Sequence, residues 1–229
     1  MITIGTGEAT APQRRDARRN RQLLVEAAHE VFTEQGLQAP LDLIARRAGV
    51  GNATLYRHFP TRAALVDAVF RDQLSATSEA GERARSAVDA WTGLNNYLRA
   101  VFDALAADRG TNDLMTTHVE GIEALDAVHT HNRETIELLL ERGRQEETVR
   151  ADATTEDVLF ALAALGRAVP ALTAATTPDA WHRPLALLLD GLRPAPAPLP
   201  GPALTTAQLG EVLRELGPHR APAPGLNDA

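Results

Sequence analysis

The chain is expected to be all-α. Apolar residues recur three and four positions apart along nearly its whole length, and no convincing alternation of polar and apolar residues marks a strand. Helix punctuation falls where these stripes pause: Gly36, Gly49 and Gly110, and Thr154 placed three residues before Asp157 as in a capping box. At 229 residues the chain can bury a substantial core.

The first stripe, Leu23, Leu24, Ala27, Ala28, Val31 and Phe32, describes a helix of roughly five turns that Gly36 ends. The stretch Leu41 to Leu65, LDLIARRAGVGNATLYRHFPTRAAL, then reads as two short helices around a tight turn, followed by a third helix. Leu43, Ile44 and Ala48 give the first an apolar face, Gly49 suits the left-handed conformation of a helix C-terminus, and Val50 plugs the turn. The second, about Asn52 to His58, turns Leu55 and Phe59 inward and Asn52, Ala53, Tyr56 and Arg57 outward. Thr61 caps the next helix, whose buried stripe is Leu65, Val66, Val69, Phe70 and Leu74.

Beyond it, Val88, Trp91, Leu94, Leu98, Val101, Phe102 and Leu105 form a strong stripe that ends at Asp108-Arg109-Gly110. A shorter segment is expected around Asp113 to Glu123, then a charged helix from His129 to Glu147 with Ile136, Leu139 and Leu140 inside. The helix opened by Thr154 is Ala- and Leu-rich, carrying Val158, Leu159, Leu162, Leu165 and Val169. Another runs about Arg183 to Leu192, with Pro184 in its first turn. Small side chains at Ala161, Ala164 and Gly166 permit close helix contacts, within the monomer or against a second copy. RPAPAPLPGP, from Arg193 to Pro202, is an extended spacer, after which Thr205 or Thr206 can cap a short amphipathic helix through Leu209, Val212, Leu213 and Leu216.

Composition narrows the function. There is no Cys, which excludes disulfides and thiolate metal sites and fits a reducing cytoplasm. No apolar run of membrane-spanning length is read from the sequence, and MITIGTGEATAPQ lacks the basic start and apolar centre of a signal peptide. A soluble cytoplasmic protein without a membrane role is therefore expected. The net charge of −7 is uneven: residues 1–62 hold nine Arg against six carboxylates, a balance of +3, while the remainder holds fourteen against twenty-four, −10. A positive head on a negative body suits oriented approach to nucleic acid. Lys is absent, which a GC-rich coding bias explains as well as any preference for Arg.

The outward face of the second short helix fits a major groove. Asn52 can donate to and accept from an adenine edge, and the Ala53 and Thr54 methyls can meet a thymine methyl. Tyr56, Arg57 and Arg62 are placed to hold phosphates. With its turn AARRAGV-like, followed by Thr54-Leu55-Tyr56, His58-Phe59, Thr61-Arg62 and Leu65, the stretch from about Arg18 to Phe70 resembles the N-terminal domain of the TetR family of transcriptional regulators. The resemblance implies a three-helix DNA-binding head with a helix-turn-helix, followed by a helical-bundle body that binds a small effector and dimerises on a palindromic DNA operator. It adds His58 as a phosphate contact. Pro40 and Gly51 stand where the family commonly has hydroxyl residues, and Arg46, Arg47 or the N-terminal arm would compensate.

This divides the chain into a basic flexible arm (1–17), a DNA-binding domain (18–62), an effector-binding and dimerisation domain (63–193) and a Pro-rich tail with a short helix (194–229). The expected cavity walls are Phe70, Leu74, Trp91, Leu94, Leu98, Phe102, Met115, Val119 and Ile122, with His118 as a polar anchor, although such stripes look alike whether they enclose a ligand or pack solidly. His129 and His131 point in different directions on one helix, which favours surface roles over metal binding. A solvated acidic face accounts for Glu120 and Glu123. No cofactor is implied, and no nucleophile elbow, phosphate loop or His-Glu metal signature points to an enzyme. The alternatives are a helical partner-binding protein without sequence-specific DNA binding, or a small-molecule enzyme using the body cavity.

Overall fold

The computed structural model describes residues 11–116 and 121–216, and among them there are ten α-helices and no strand. The head comprises α1 (Ala11–Gln35), α2 (Leu41–Arg47) and α3 (Asn52–His58). Then follow α4 (Arg62–Arg85), α5 (Ala90–Ala107), α6 (Arg109–Thr116), α7 (Glu123–Gln145), α8 (Thr155–Ala175), α9 (His182–Gly191) and α10 (Thr206–Leu216).

The turn between α2 and α3 is built from backbone bonds. Gly49 takes a φ of 68°, its N–H donates to Arg46 O at 3.1 Å, and Val50 N donates to Ala45 O at 3.0 Å, the paired closure of a Schellman motif. Pro40 and Gly51 occupy the N-cap positions of α2 and α3 with extended backbone and no side-chain cap, whereas Thr61 Oγ1 accepts from Ala64 N and does cap α4. One apolar core joins Leu24, Ala28 and Phe32 of α1 to Ile44, Leu55, Phe59 and Phe70, and it continues into Leu114, Leu125 and Val128 of α6 and α7. The head is therefore not a separate bead. A second core joins α5, α7, α8 and α9 around Leu98, Phe102, Leu140, Val158 and Trp181, with Phe102 and Trp181 stacked at 5.8 Å.

Several boundaries differ from the sequence expectation, each for a local reason. The arm expected over 1–17 is helical from Ala11, where Pro12 falls in the first turn and the Arg-rich run after it favours helix. Val88 is 92% exposed because α5 starts only at Ala90, capped by Asp89. The stripe ends where expected, α5 stopping at Ala107 with Asp108 as its C-cap, but Gly110 belongs to the next helix. It lies inside α6 because a Cβ there would meet Phe70 Cζ at 2.7 Å, so only glycine lets α6 approach α4. The short segment thus begins earlier than Asp113, and α7 begins at Glu123, well before His129. At 21 residues, α8 is long and apolar enough to cross a membrane by length and composition, contrary to the sequence reading, because Ala and Gly interleave its larger side chains. It packs in the bundle against α5, α6 and α7. Its capping box is present, with Thr154 and Asp157 exchanging side-chain-to-backbone bonds, and Gly166 faces inward onto Leu105 and Thr116.

The tail is strapped down. Arg150 binds Asp152 at 2.6 Å and donates to Gly191 O and Ala197 O, while Asp152 Oδ2 accepts from Leu199 N at 2.7 Å. The Arg150 guanidinium and the Leu199 amide hold the Asp152 carboxyl far below the usual carboxylate range. From this anchor the chain reaches α10, whose first turn is closed by Thr205 and Gln208, each side chain bonding the other's backbone N–H.

Candidate DNA interface and effector cavity

On the head, Leu55 is buried in the core and fixes α3, leaving Asn52, Ala53, Tyr56 and Arg57 exposed on one face and Thr54 half-buried beside them. Tyr56 is 52% exposed, a large apolar ring that the fold leaves uncovered. Three other residues assigned to DNA are engaged internally. Arg62 Nη1 donates to both Leu37 O and Ala39 O at 2.7 Å, closing the loop between α1 and α2. Its burial lowers the pKa of its guanidinium. Arg47 pairs with Glu34 at 2.9 Å and tethers α2 to α1. His58 packs against Phe59 with Nε2 buried and without a partner among the described residues, and burial first, then Arg57 and Arg21, hold its pKa below the usual imidazole value. The helical wheel places a residue on a face, but it does not show which carbonyls lie within reach of a long side chain.

The loop that Arg62 holds is gripped from the other side as well. Asp113 of α6, fully buried, accepts from Leu37 N at 3.1 Å. Next to it, Asn112 Nδ2 donates to Leu105 O at 2.9 Å and Gly166 O at 2.7 Å, tying α6 to α5 and α8. The short helix α6 therefore touches the head, the body's core helices and, through Met115 and Thr116, a cavity of about 460 Å³.

That cavity opens between α5, α6, α7, α8 and α10. Val101, Leu105, Leu159, Leu162, Leu209 and Leu213 supply apolar surface; His129, Asn132, Arg133 and Arg214 supply polar groups. Asn132 accepts a hydrogen bond from the buried Tyr97 hydroxyl, whose pKa burial pushes up. Arg133 is matched by Glu156 at 2.7 Å, and this bond together with one from Thr206 outweighs burial and keeps the Glu156 pKa low.

Of the walls expected from sequence, Met115 alone among the described residues lines this cavity. Phe70, Leu74 and Ile122 are in the head core, where Phe70 stacks on Phe32 at 6.2 Å. Leu94, Leu98 and Phe102 fill the body core, and Trp91 lies under the Arg193 guanidinium at 3.6 Å. His118 and Val119, like Glu120, lie outside the described residues. His129 and His131 are both half-buried: His129 lines the cavity, and His131 is wedged against Gly81 with Nδ1 3.6 Å from Glu82. The amphipathic pattern of α10 was the one available signal for the missing wall, since period reveals a face without revealing its partner.

A three-helix head that exposes one short helix, fused through shared core to a cavity-bearing helical body, defines a helix-turn-helix regulatory protein. Residues 24–69 match the family model described as bacterial regulatory proteins, tetR family, and residues 89–194 match the transcriptional regulator SbtR-like C-terminal domain. The TetR transcriptional regulator SCO0520 of Streptomyces coelicolor is 30% identical over 76% of this chain and 99% of its own, with a TM-score of 0.50. A tetR-family regulatory protein of Rhodococcus RHA1 shares the fold at a TM-score of 0.61 and 19% identity, over 77% of this chain and 98% of its own. An HTH-type transcriptional regulator of Staphylococcus aureus (strain USA300) is 43% identical over 53 residues, 23% of this chain, and the match spans 29% of that regulator's length. The chain belongs to the TetR family of transcriptional regulators.

Proposed function

We propose that the protein is a ligand-responsive repressor that binds a palindromic operator as a homodimer in the cytoplasm and releases it when a small, mostly apolar effector enters the body. The observation that carries this reading is the position of α6: Asp113 holds the head at Leu37, while Met115 and Thr116, two and three residues on, line the cavity. A ligand that prefers a shifted α6 pulls on the loop between α1 and α2, and with it on the placement of α3. Only such a preference moves the equilibrium, because a ligand that binds both shapes equally shifts nothing.

Dimerisation is supported by an exposed stripe on α8, Phe160, Ala164, Ala168 and Ala171, and by Leu187 of α9, which is 65% exposed. A second copy covering this face places two heads on a two-fold axis, as an inverted repeat requires. Asn52 reads a base edge, and Tyr56 and Arg57 hold the backbone. Selection of bound duplexes from random DNA tests the reading: an inverted repeat is the expected product. Equally tight binding to scrambled duplex at physiological salt overturns the specificity. Ligand and operator must weaken each other by the same factor, so a cavity ligand whose affinity ignores saturating operator is not the effector.

A further inference from the structure

The match to the family's C-terminal domain ends at residue 194, yet α10 beyond it supplies Thr206, Leu209, Gly210, Leu213 and Arg214 to the cavity lining. The helix is seated: Leu209 is 1% exposed, and Thr206 Oγ1 donates to Glu156 Oε1 at 2.8 Å. The charge of the lining is one-sided. Among the described residues it contains Arg133, Arg214 and His129 and no carboxylate. Glu156 matches Arg133 from outside the lining, whereas Arg214 makes no ion pair or hydrogen bond among the described residues. Thr206 to Arg214 spans about 12 Å at 1.5 Å per helical residue, and the apolar side chains of α10 and α8 fall between these ends.

We propose that α10 is a wall of the effector site and that the effector is an amphipathic anion, its acidic head held by Arg214 and its apolar chain laid between Leu213, Leu209, Met115 and Leu162. This rests on the ligand-responsive reading above and names its ligand class. An arginine is suited to the role because its planar fork meets a carboxylate or phosphate through paired bonds and stays charged at any working pH. Apolar burial supplies the affinity and the head selects the class.

Isothermal titration of the full chain with dodecanoate, dodecanol, dodecylamine and dodecyl phosphate tests the proposal. Dodecanoate or dodecyl phosphate is expected to bind at least about tenfold tighter than dodecanol, the factor a charge-assisted bond provides, and the better of the two identifies the head. Arg214→Gln, an exposed change that disturbs no partner, should bring that anion to the level of dodecanol. A Cβ on Gly210 meets nothing within 4 Å, so Gly210→Trp should keep the melting transition while filling the cavity and abolishing binding. Undiminished anion binding by the folded Gly210→Trp protein, a preference for the amine, or affinities alike for anion and alcohol overturns the proposal. Operator affinity measured alongside separates the two readings: an anion seated under α10 that leaves operator binding unchanged sustains the site and overturns ligand-controlled release.

Discussion

Replacing Arg62 by methionine separates two roles that the same arginine could play. Methionine keeps most of the aliphatic stem and its packing, and it removes both 2.7 Å bonds to Leu37 O and Ala39 O. A hydrogen bond from a charged donor contributes about 1.5 to 3 kcal/mol. The two share one nitrogen, and losing the half-buried guanidinium also relieves its desolvation, so the net loss expected is about 2 to 3 kcal/mol rather than the sum. For a chain of this size that lowers the melting temperature by about 5 to 10 °C. The decisive assay pairs thermal unfolding with operator affinity across a salt series. A residue that neutralises a phosphate contributes about 0.9 to the slope of log K against log salt, whereas a loop clamp contributes stability and leaves that slope alone. An unchanged melting temperature with a slope reduced by about 1.8, about 0.9 for each subunit of the dimer, would refute the clamp and restore Arg62 to the DNA interface.

Asn52→Ala should relax base preference at one position in each half-site, costing about 1 to 3 kcal/mol against the preferred base; an unchanged selected motif removes Asn52 as a reader. Leu187→Glu places a charge on the exposed side of α9 assigned to the dimer interface and should shift the mass in solution from dimer to monomer, as read by light scattering. His58 has a depressed pKa in the fold, so the unfolded chain takes up the proton first as pH falls below about 6.5. Its contribution to stability is therefore complete above that pH and is lost as pH drops towards the folded value. His58→Gln should flatten this part of the profile relative to the unmodified protein, and parallel profiles in urea melts would show that the ring is solvated.

How far the sequence reaches depends on the range of the interaction. The turn around Gly49, the Thr61 cap, the Thr154-Asp157 box and the inward Leu55 and Phe59 were legible because each is decided within a few residues by backbone conformation or helical period. The exposed face of α3 followed from the same wheel. The engagements of Arg62 and Arg47 were not legible, because their partners lie 25, 23 and 13 residues away and a flexible cation can reach any of several acceptors. The cavity was harder still. Leu98, Phe102 and Leu105 belong to one helical stripe, yet Leu105 lines the cavity and the other two are sealed in the core. Rotation by a single turn separates wall from filling, and no pattern along the chain encodes that difference.

The strap made by Arg150 and Asp152 sets the local concentration of α10. Only six residues separate the Leu199 anchor from Thr206, and a segment tethered so closely experiences its docking surface at an effective concentration of about millimolar or more. A detached copy of the same helix would need comparable amounts in solution to compete, so the protein carries its own resident occupant for that face of α8. Any molecule that needs α10 displaced faces this competitor, while one that fits beneath it gains an extra surface. Proteolytic cleavage between Leu199 and Thr206 would turn the helix's return into a second-order encounter, and dilution alone would then strip the wall away.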